Sequence, residues 1–184
     1  MSEQNRQVAI RLRELRETRG LTIESFAKQV GVAVDVCAEY EKGDTDIPIG
    51  FLCEAAQVLK SDLTTIVTGR SPRLRTYSFV KGGEGLTVES FHNYNYKTLA
   101  HKFTGKKAEP MLVEMQPENT DEPIALNTHP GQEIDYVLEG ELFVQLGDKQ
   151  IIMKPGDTLY HDSGVPHGMR PAGDQPVKFL AIVL

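Results

Sequence analysis

Cysteine is scarce in this 184-residue chain, with two residues, Cys37 and Cys53. Their separation matches no metal-binding spacing and implies no disulfide framework, so each is expected to pack as a small apolar side chain. Long hydrophobic runs are missing too. No apolar stretch approaches the length of a membrane span, and the opening MSEQNRQ carries no signal-peptide core. The expectation is a cytoplasmic protein with no membrane partner. A concentrated basic region is also absent. The net charge is −6, and residues 1–70 hold nine Lys/Arg against eleven Asp/Glu. A nucleic-acid footprint would therefore have to come from a local cluster such as Arg11, Arg13, Arg16 and Arg19. There is no internal repeat, no low-complexity tract, no Gly-rich phosphate loop and no Ser or Cys nucleophile in a recognisable setting. KGGEG at 81–85 reads as a turn.

What is present falls into two textures. Residues 6–68 read as five short helices. Val8, Leu12 and Leu15 recur at helical spacing until Gly20. Thr22 is placed to cap a second helix that Gly31 ends. A third runs from about Val34 to Glu41 and stops at Gly43. Pro48 opens a fourth, with a stripe of Leu52, Ala55, Ala56 and Leu59, and Asp62 caps a last turn through Ile66. Short helices with Gly-marked turns fit a helical DNA-binding head. Period-two segments dominate after Gly69-Arg70-Ser71-Pro72: LRTYSFV, YNYKTLAHKF, MLVEM, EIDYVLEG, ELFVQLG, QIIM, DTLYH and VKFLAIVL. Eight to ten strands in this space predict an antiparallel jelly roll. The boundaries expected are a head over 1–68, a linker over 69–76 and a β domain over 77–184.

The chemistry concentrates in the β region. His129 stands four residues before Glu133, Gly140 follows, and His167 lies on a later segment. Two imidazoles and a carboxylate from separate strands can close one face of a divalent metal and leave coordination sites open. Iron, zinc, nickel and manganese all suit that donor set. Tyr94 and Tyr96 alternate on one strand face, and Tyr136 lies on another. Their phenols can line a pocket and hydrogen-bond a small, anionic ligand while the rings pack, or the tyrosines can simply fill the barrel. His101 and His161 read as ordinary surface or satisfied core histidines.

These residues resemble a known pairing. LRELRETRGLTIESFAKQVG followed by YEKG is similar to the Cro-like, xenobiotic-response-element type of helix-turn-helix. NTHPGQEIDYVLEG and PGDTLYHDSGVPHG resemble the two motifs of a cupin, with Asn127 where the usual first His would stand. The resemblance implies an all-α helix-turn-helix domain followed by an all-β cupin (double-stranded β-helix) domain. It also implies a transcriptional regulator that binds double-stranded DNA as a homodimer or higher homo-oligomer and senses a small-molecule effector. Metal would be held by His129, Glu133 and His167, and effector by Asn127, Tyr94, Tyr96 and Tyr136. DNA would meet Arg16, Arg19, Lys28 and Lys42 through phosphates, and Val34, Asp35 and Glu39 in the groove. None of those last three makes the bidentate contacts that read guanine or adenine, although a carboxylate accepts from cytosine and Val34 can meet a thymine methyl. Two alternatives follow from that acidic helix. The head is a dimerisation or lid element, or the chain is a mononuclear non-haem iron oxygenase or oxidase resembling the hydroxypropylphosphonate epoxidases. The resemblance to those enzymes extends to the tyrosine-rich strand from Tyr94. It implies a substrate-clamping Lys in the head, where this sequence has Gly20.

Overall fold

The computed structural model describes residues 3–89, 94–117 and 123–184. The chain divides into two compact units, Met1–Val80 with Ala100–Lys107, and Lys81–Leu99 with Ala108–Leu184.

The first unit is built from α1 (Glu3–Thr18), α2 (Ile23–Val30), α3 (Val34–Lys42), α4 (Ile49–Val58) and α5 (Leu63–Thr68). Its core gathers Leu12, Phe26, Ala27, Val30, Cys37, Ala55, Leu59 and Ile66, all essentially without solvent exposure. The caps explain the short helices. Thr22 accepts a hydrogen bond from the Ser25 amide at 3.2 Å, and Gly31 closes α2 in the left-handed region. Gly43 closes α3 at φ 73°, where an added Cβ would come within 3.0 Å of the Ala9 Cβ on α1. Glycine there serves both the turn and the close approach of α1 to α3. Cys37 and Cys53 are both buried.

Asp62 departs from expectation. It stands before α5 but makes no side-chain cap. Its carboxylate instead accepts from the Thr104 hydroxyl at 3.2 Å and the Gly105 amide at 3.3 Å. The segment 100–107 thus belongs to the helical unit through polar contacts that local spacing does not reveal. LRTYSFV is not a strand either. Only Leu74 pairs, in a single bridge to Phe103, while Tyr77 and Phe79 are among the most exposed aromatic residues described. An alternating pattern without a neighbouring edge cannot form a ladder.

The second unit is antiparallel throughout. A six-stranded sheet runs β1-β2-β3-β9-β4-β7 and a three-stranded sheet runs β6-β5-β8. The strands are β1 (Leu86–Glu89), β2 (Tyr94–Thr98), β3 (Glu109–Met115), β4 (Gln132–Glu139), β5 (Leu142–Leu146), β6 (Lys149–Met153), β7 (Thr158–Asp162), β8 (His167–Pro171) and β9 (Val177–Val183). Central strands β3 and β9 alternate strictly between buried and half-buried residues. That alternation is the period-two signature of a sheet with one face packed inward. Met111, Val113, Val137, Val144, Phe179 and Ala181 fill the interior.

Candidate metal centre and helical head

Strand alternation places the key side chains. On β4, Glu133, Asp135 and Val137 are buried while Tyr136 turns outward, 40% exposed. Tyr136 therefore lies on the face opposite Glu133, which corrects its assignment to the pocket wall. A one-residue offset on a strand reverses the face. Glu133 pairs in register with His161 on β7. His167 opens β8, and His129 sits just ahead of β4, its amide bonded to the Ser163 carbonyl at 3.0 Å. Asn127 and His167 exchange both backbone hydrogen bonds, at 2.8 and 3.0 Å. Residues paired in that way direct their side chains to the same side. Asn127 itself is exposed.

His129, Glu133 and His167 come together as the sequence anticipates, all buried, with one donor atom from each within 4.8 Å of the others. Glu133 Oε2 lies 3.3 Å from His129 Nε2 and 4.0 Å from His167 Nε2. The tautomers follow from the backbone. His129 Nδ1 is 3.1 Å from the Pro130 carbonyl oxygen, and His167 Nδ1 is 2.9 Å from the Val165 carbonyl oxygen. Carbonyls only accept, so each Nδ1 carries its proton and each Nε2 presents a lone pair. Three acceptor groups then face one another in a buried space. That arrangement repels itself until a proton or a metal ion stands among them, and backbone carbonyls on Nδ1 are the usual orienting partners of metal-bound imidazoles. The residues fit a divalent ion. Burial pushes the His167 imidazolium down, which keeps it neutral and able to ligate. Burial works to raise the Glu133 carboxyl, but hydrogen bonding and charge pairing with the histidines, once a proton stands at an Nε2, outweigh it and hold it below its ordinary range.

Beside this cluster lie two further buried polar residues, Asp135, which the motif does not single out, and His161, which takes the core rather than the surface position open to it. His161 is only 4% exposed and Asp135 is fully buried. Burial pushes the Asp135 carboxyl up to about 7, with the Glu133 charge adding to the effect. A signal for Asp135 is present in the sequence: it follows Glu133 by two, the same-face spacing of a strand.

Tyr94 and Tyr96 stack with ring centroids 5.7 Å apart. The Tyr94 hydroxyl donates to the Met169 carbonyl at 2.7 Å, joining β2 to β8 across the two sheets. Both phenols therefore lie on the strand face directed at the opposite sheet.

The helical unit rearranges the DNA-contact assignments. Arg16 is buried, donates from Nε and Nη2 to both oxygens of Glu41 at 2.7 and 2.9 Å, and donates from Nη1 to the Leu21 carbonyl at 2.7 Å. Arg19 donates to the Leu59 and Lys60 carbonyls, at 2.8 and 3.1 Å, just after α4. Arg11 does the same for Ile66 and Val67 near the end of α5, at 2.6 and 2.5 Å. These guanidiniums satisfy helix-end carbonyls and one buried carboxylate. Arg16, buried and with every nitrogen engaged, is thereby corrected from a phosphate contact to a strut of the fold, while Arg19 stays exposed with Nε and Nη2 on carbonyls. Lys28 and Lys42 are exposed, with Lys42 paired to Glu39. α3 presents Val34, Asp35, Val36 and Glu39 to solvent, Val34 at 41%.

The fold and the buried His/Glu cluster define a helix-turn-helix joined to a cupin. Comparison with known families agrees: residues 12–66 match the helix-turn-helix family and residues 111–183 match the cupin domain family. The chain thus carries a Cro-like helix-turn-helix domain followed by a cupin domain. Along 93% of its length it is 21% identical to (S)-2-hydroxypropylphosphonic acid epoxidase from Streptomyces wedmorensis, covering 92% of that protein. Over 58% of its length it is 29% identical to an oxalate-binding protein from Thermotoga maritima, covering 83% of it. Among solved structures it resembles an HTH_3 family transcriptional regulator from Vibrio cholerae. The TM-score is 0.64 and the identity 22%, with 97% of this chain and 95% of that one covered. The epoxidase structure gives a TM-score of 0.53 at 22% identity, with 98% of each chain covered. No helix among the described residues is long and apolar enough to cross a membrane.

Proposed function

We propose that this protein is a transcriptional regulator whose helical unit binds double-stranded DNA as a homodimer and whose cupin domain senses a small anionic molecule. The observation that carries this reading is the five-helix unit with an exposed α3, matched to the helix-turn-helix family over residues 12–66. His129, Glu133 and His167 would hold a divalent metal, which supplies a Lewis-acidic contact for an anion. Asn127 shares the His167 side of its strand pair, and Tyr94 and Tyr96 offer rings and hydroxyls to orient the ligand. The oxalate-binding relative supports a small carboxylate as the first effector to test. The ligand alters DNA affinity only by binding two arrangements of the dimer unequally. Half-sites about one DNA turn apart are expected.

The composition of α3 sets the character of the DNA contact. Val34 suits a thymine methyl and Asp35 or Glu39 a cytosine amine, so readout is sparse and Lys28 and Lys42 carry phosphate contact. Selection of bound duplexes from a random pool tests this. An enriched two-fold motif supports the reading, and an unenriched pool contradicts it.

A second reading is favoured by one specific observation, the buried His129/Glu133/His167 set with both imidazoles already oriented. A bound iron there would supply dioxygen chemistry, as in an iron oxygenase or oxidase. Against it stands Gly20, at φ 68° just after α1, a conformation that disfavours the substrate-clamping lysine such an enzyme places there. Iron-dependent oxygen consumption abolished by His129→Ala would establish this reading in place of the regulator.

A further inference from the structure

Beside the first cluster lies a second that shares one member with it. Glu133, Asp135 and His161 are all buried, and one donor atom from each falls within 4.8 Å of the others. The two inward positions of Asp135 and His161 are diagonal neighbours across β4 and β7, where a barrel interior ordinarily places apolar side chains. Here they hold a carboxylate and an imidazole. His161 Nε2 faces Asp135 Oδ2 at 3.5 Å, yet neither oxygen of Asp135 and neither ring nitrogen of His161 has a hydrogen-bond partner. A fully buried carboxylate with both oxygens unsatisfied is expensive unless a cation or a proton sits against it. The His161 ring also lies 4.9 Å from the His167 ring, so the two clusters adjoin.

We propose that Glu133, Asp135 and His161 hold a second divalent cation, bridged through Glu133 to the one held by His129, Glu133 and His167. The inference rests on the metal-binding reading of the first cluster. A carboxylate has two oxygens, and one on each ion is the usual way a pair of metals at about 3.5–4 Å is tied together. Two carboxylates and three imidazoles across the pair suit manganese, iron, cobalt or zinc rather than calcium or magnesium. A paired centre offers an anionic effector two metal contacts instead of one.

Mn(II) is the probe of choice, added to the metal-stripped full chain. Equilibrium dialysis gives ions per chain, and electron paramagnetic resonance separates an exchange-coupled pair from isolated ions. The expected result is two ions per chain with a coupled spectrum. In the double variant Asp135→Leu/His161→Phe, chosen to restore an apolar interior, one ion and the isolated six-line spectrum should remain. Saturation of the unsubstituted protein at one ion, with a single-ion spectrum, overturns the proposal whether or not the variant folds. If that one ion is lost in His129→Ala and kept in the double variant, the first site stands and only the second falls. If the single ion follows Asp135 and His161 instead, the pair is likewise refuted. No bound ion at all removes both sites.

Discussion

Arg16 shows how a side chain that reads as functional in sequence can be structural in place. Both its nitrogens toward Glu41 and its third toward the Leu21 carbonyl are engaged in a nearly dry setting. Removing one partner of such a pair strands the other charge, so Arg16→Ala is expected to lower stability by about 3 kcal/mol. Urea unfolding followed by circular dichroism measures it. A loss below about 1 kcal/mol would mean that the pair is effectively solvated. Cys37 gives a second test. Burial pushes its thiol up to about 11, so native protein at pH 8 should resist alkylation at Cys37 until it unfolds. The linkage sign follows: because the folded thiol holds its proton longer than the unfolded one, stability falls as pH climbs from about 8.5 toward 11. A Cys37→Ala variant should lose that slope. Legibility at this scale was uneven. His129, Glu133 and His167 were readable because they stand at the ligand positions of the two cupin-like motifs, and they do converge. Asp135 shares a face with Glu133 by its spacing of two, but His161 is not legible in that way, since its meaning depends on the β4–β7 register, a long-range fact.

Elements were readable where local chemistry decides them. Thr22 and Gly31 marked α2 because a cap and a left-handed glycine act within one turn. The alternating run of β9 was equally plain. β8 is reached only through the motif that places His167 on a returning strand, because HGMRP contains Gly168 and Pro171 and shows no alternation. Its glycine exists for its neighbour: a Cβ at Gly168 would lie 2.4 Å from the Ala125 carbonyl oxygen and 3.2 Å from the Leu126 side chain. Those residues lead into Asn127 and His129. Gly168→Ala should therefore push that segment away and weaken Mn(II) binding by roughly 10-fold or more, as disturbed supports of metal ligands do. Calorimetric titration against the parent protein checks it; unchanged affinity would show that the segment relaxes without moving His129. LRTYSFV is the opposite case. Its alternation is genuine, but a strand needs an edge to pair with, and only Leu74 finds one.

For the molecule as a whole, the two textures of the sequence anticipate a helical unit and an antiparallel β unit, but the division falls after Val80, beyond the 69–76 linker, because LRTYSFV lies in the helical unit. The inclusion of 100–107 in the helical unit was not visible in those textures, because Asp62 reaches it across some forty positions of sequence. The electrostatics of the head also had to be seen in place. With Arg11, Arg16 and Arg19 committed to carbonyls and Glu41, Lys28 and Lys42 become the principal phosphate contacts proposed. Replacing either by Ala should weaken DNA binding similarly for all sequences and reduce the salt slope by about 1, whereas a slope that responds only to Arg16 would refute the assignment. On the regulator reading the exposed α3 directs this protein to particular DNA sites. Chromatin pull-down of the tagged protein across the genome of its own host tests it without assuming an operator or an effector. A few sharp sites sharing a two-fold motif are predicted. A flat profile from well-expressed protein would contradict the regulator and leave the buried metal centre as the seat of an enzyme.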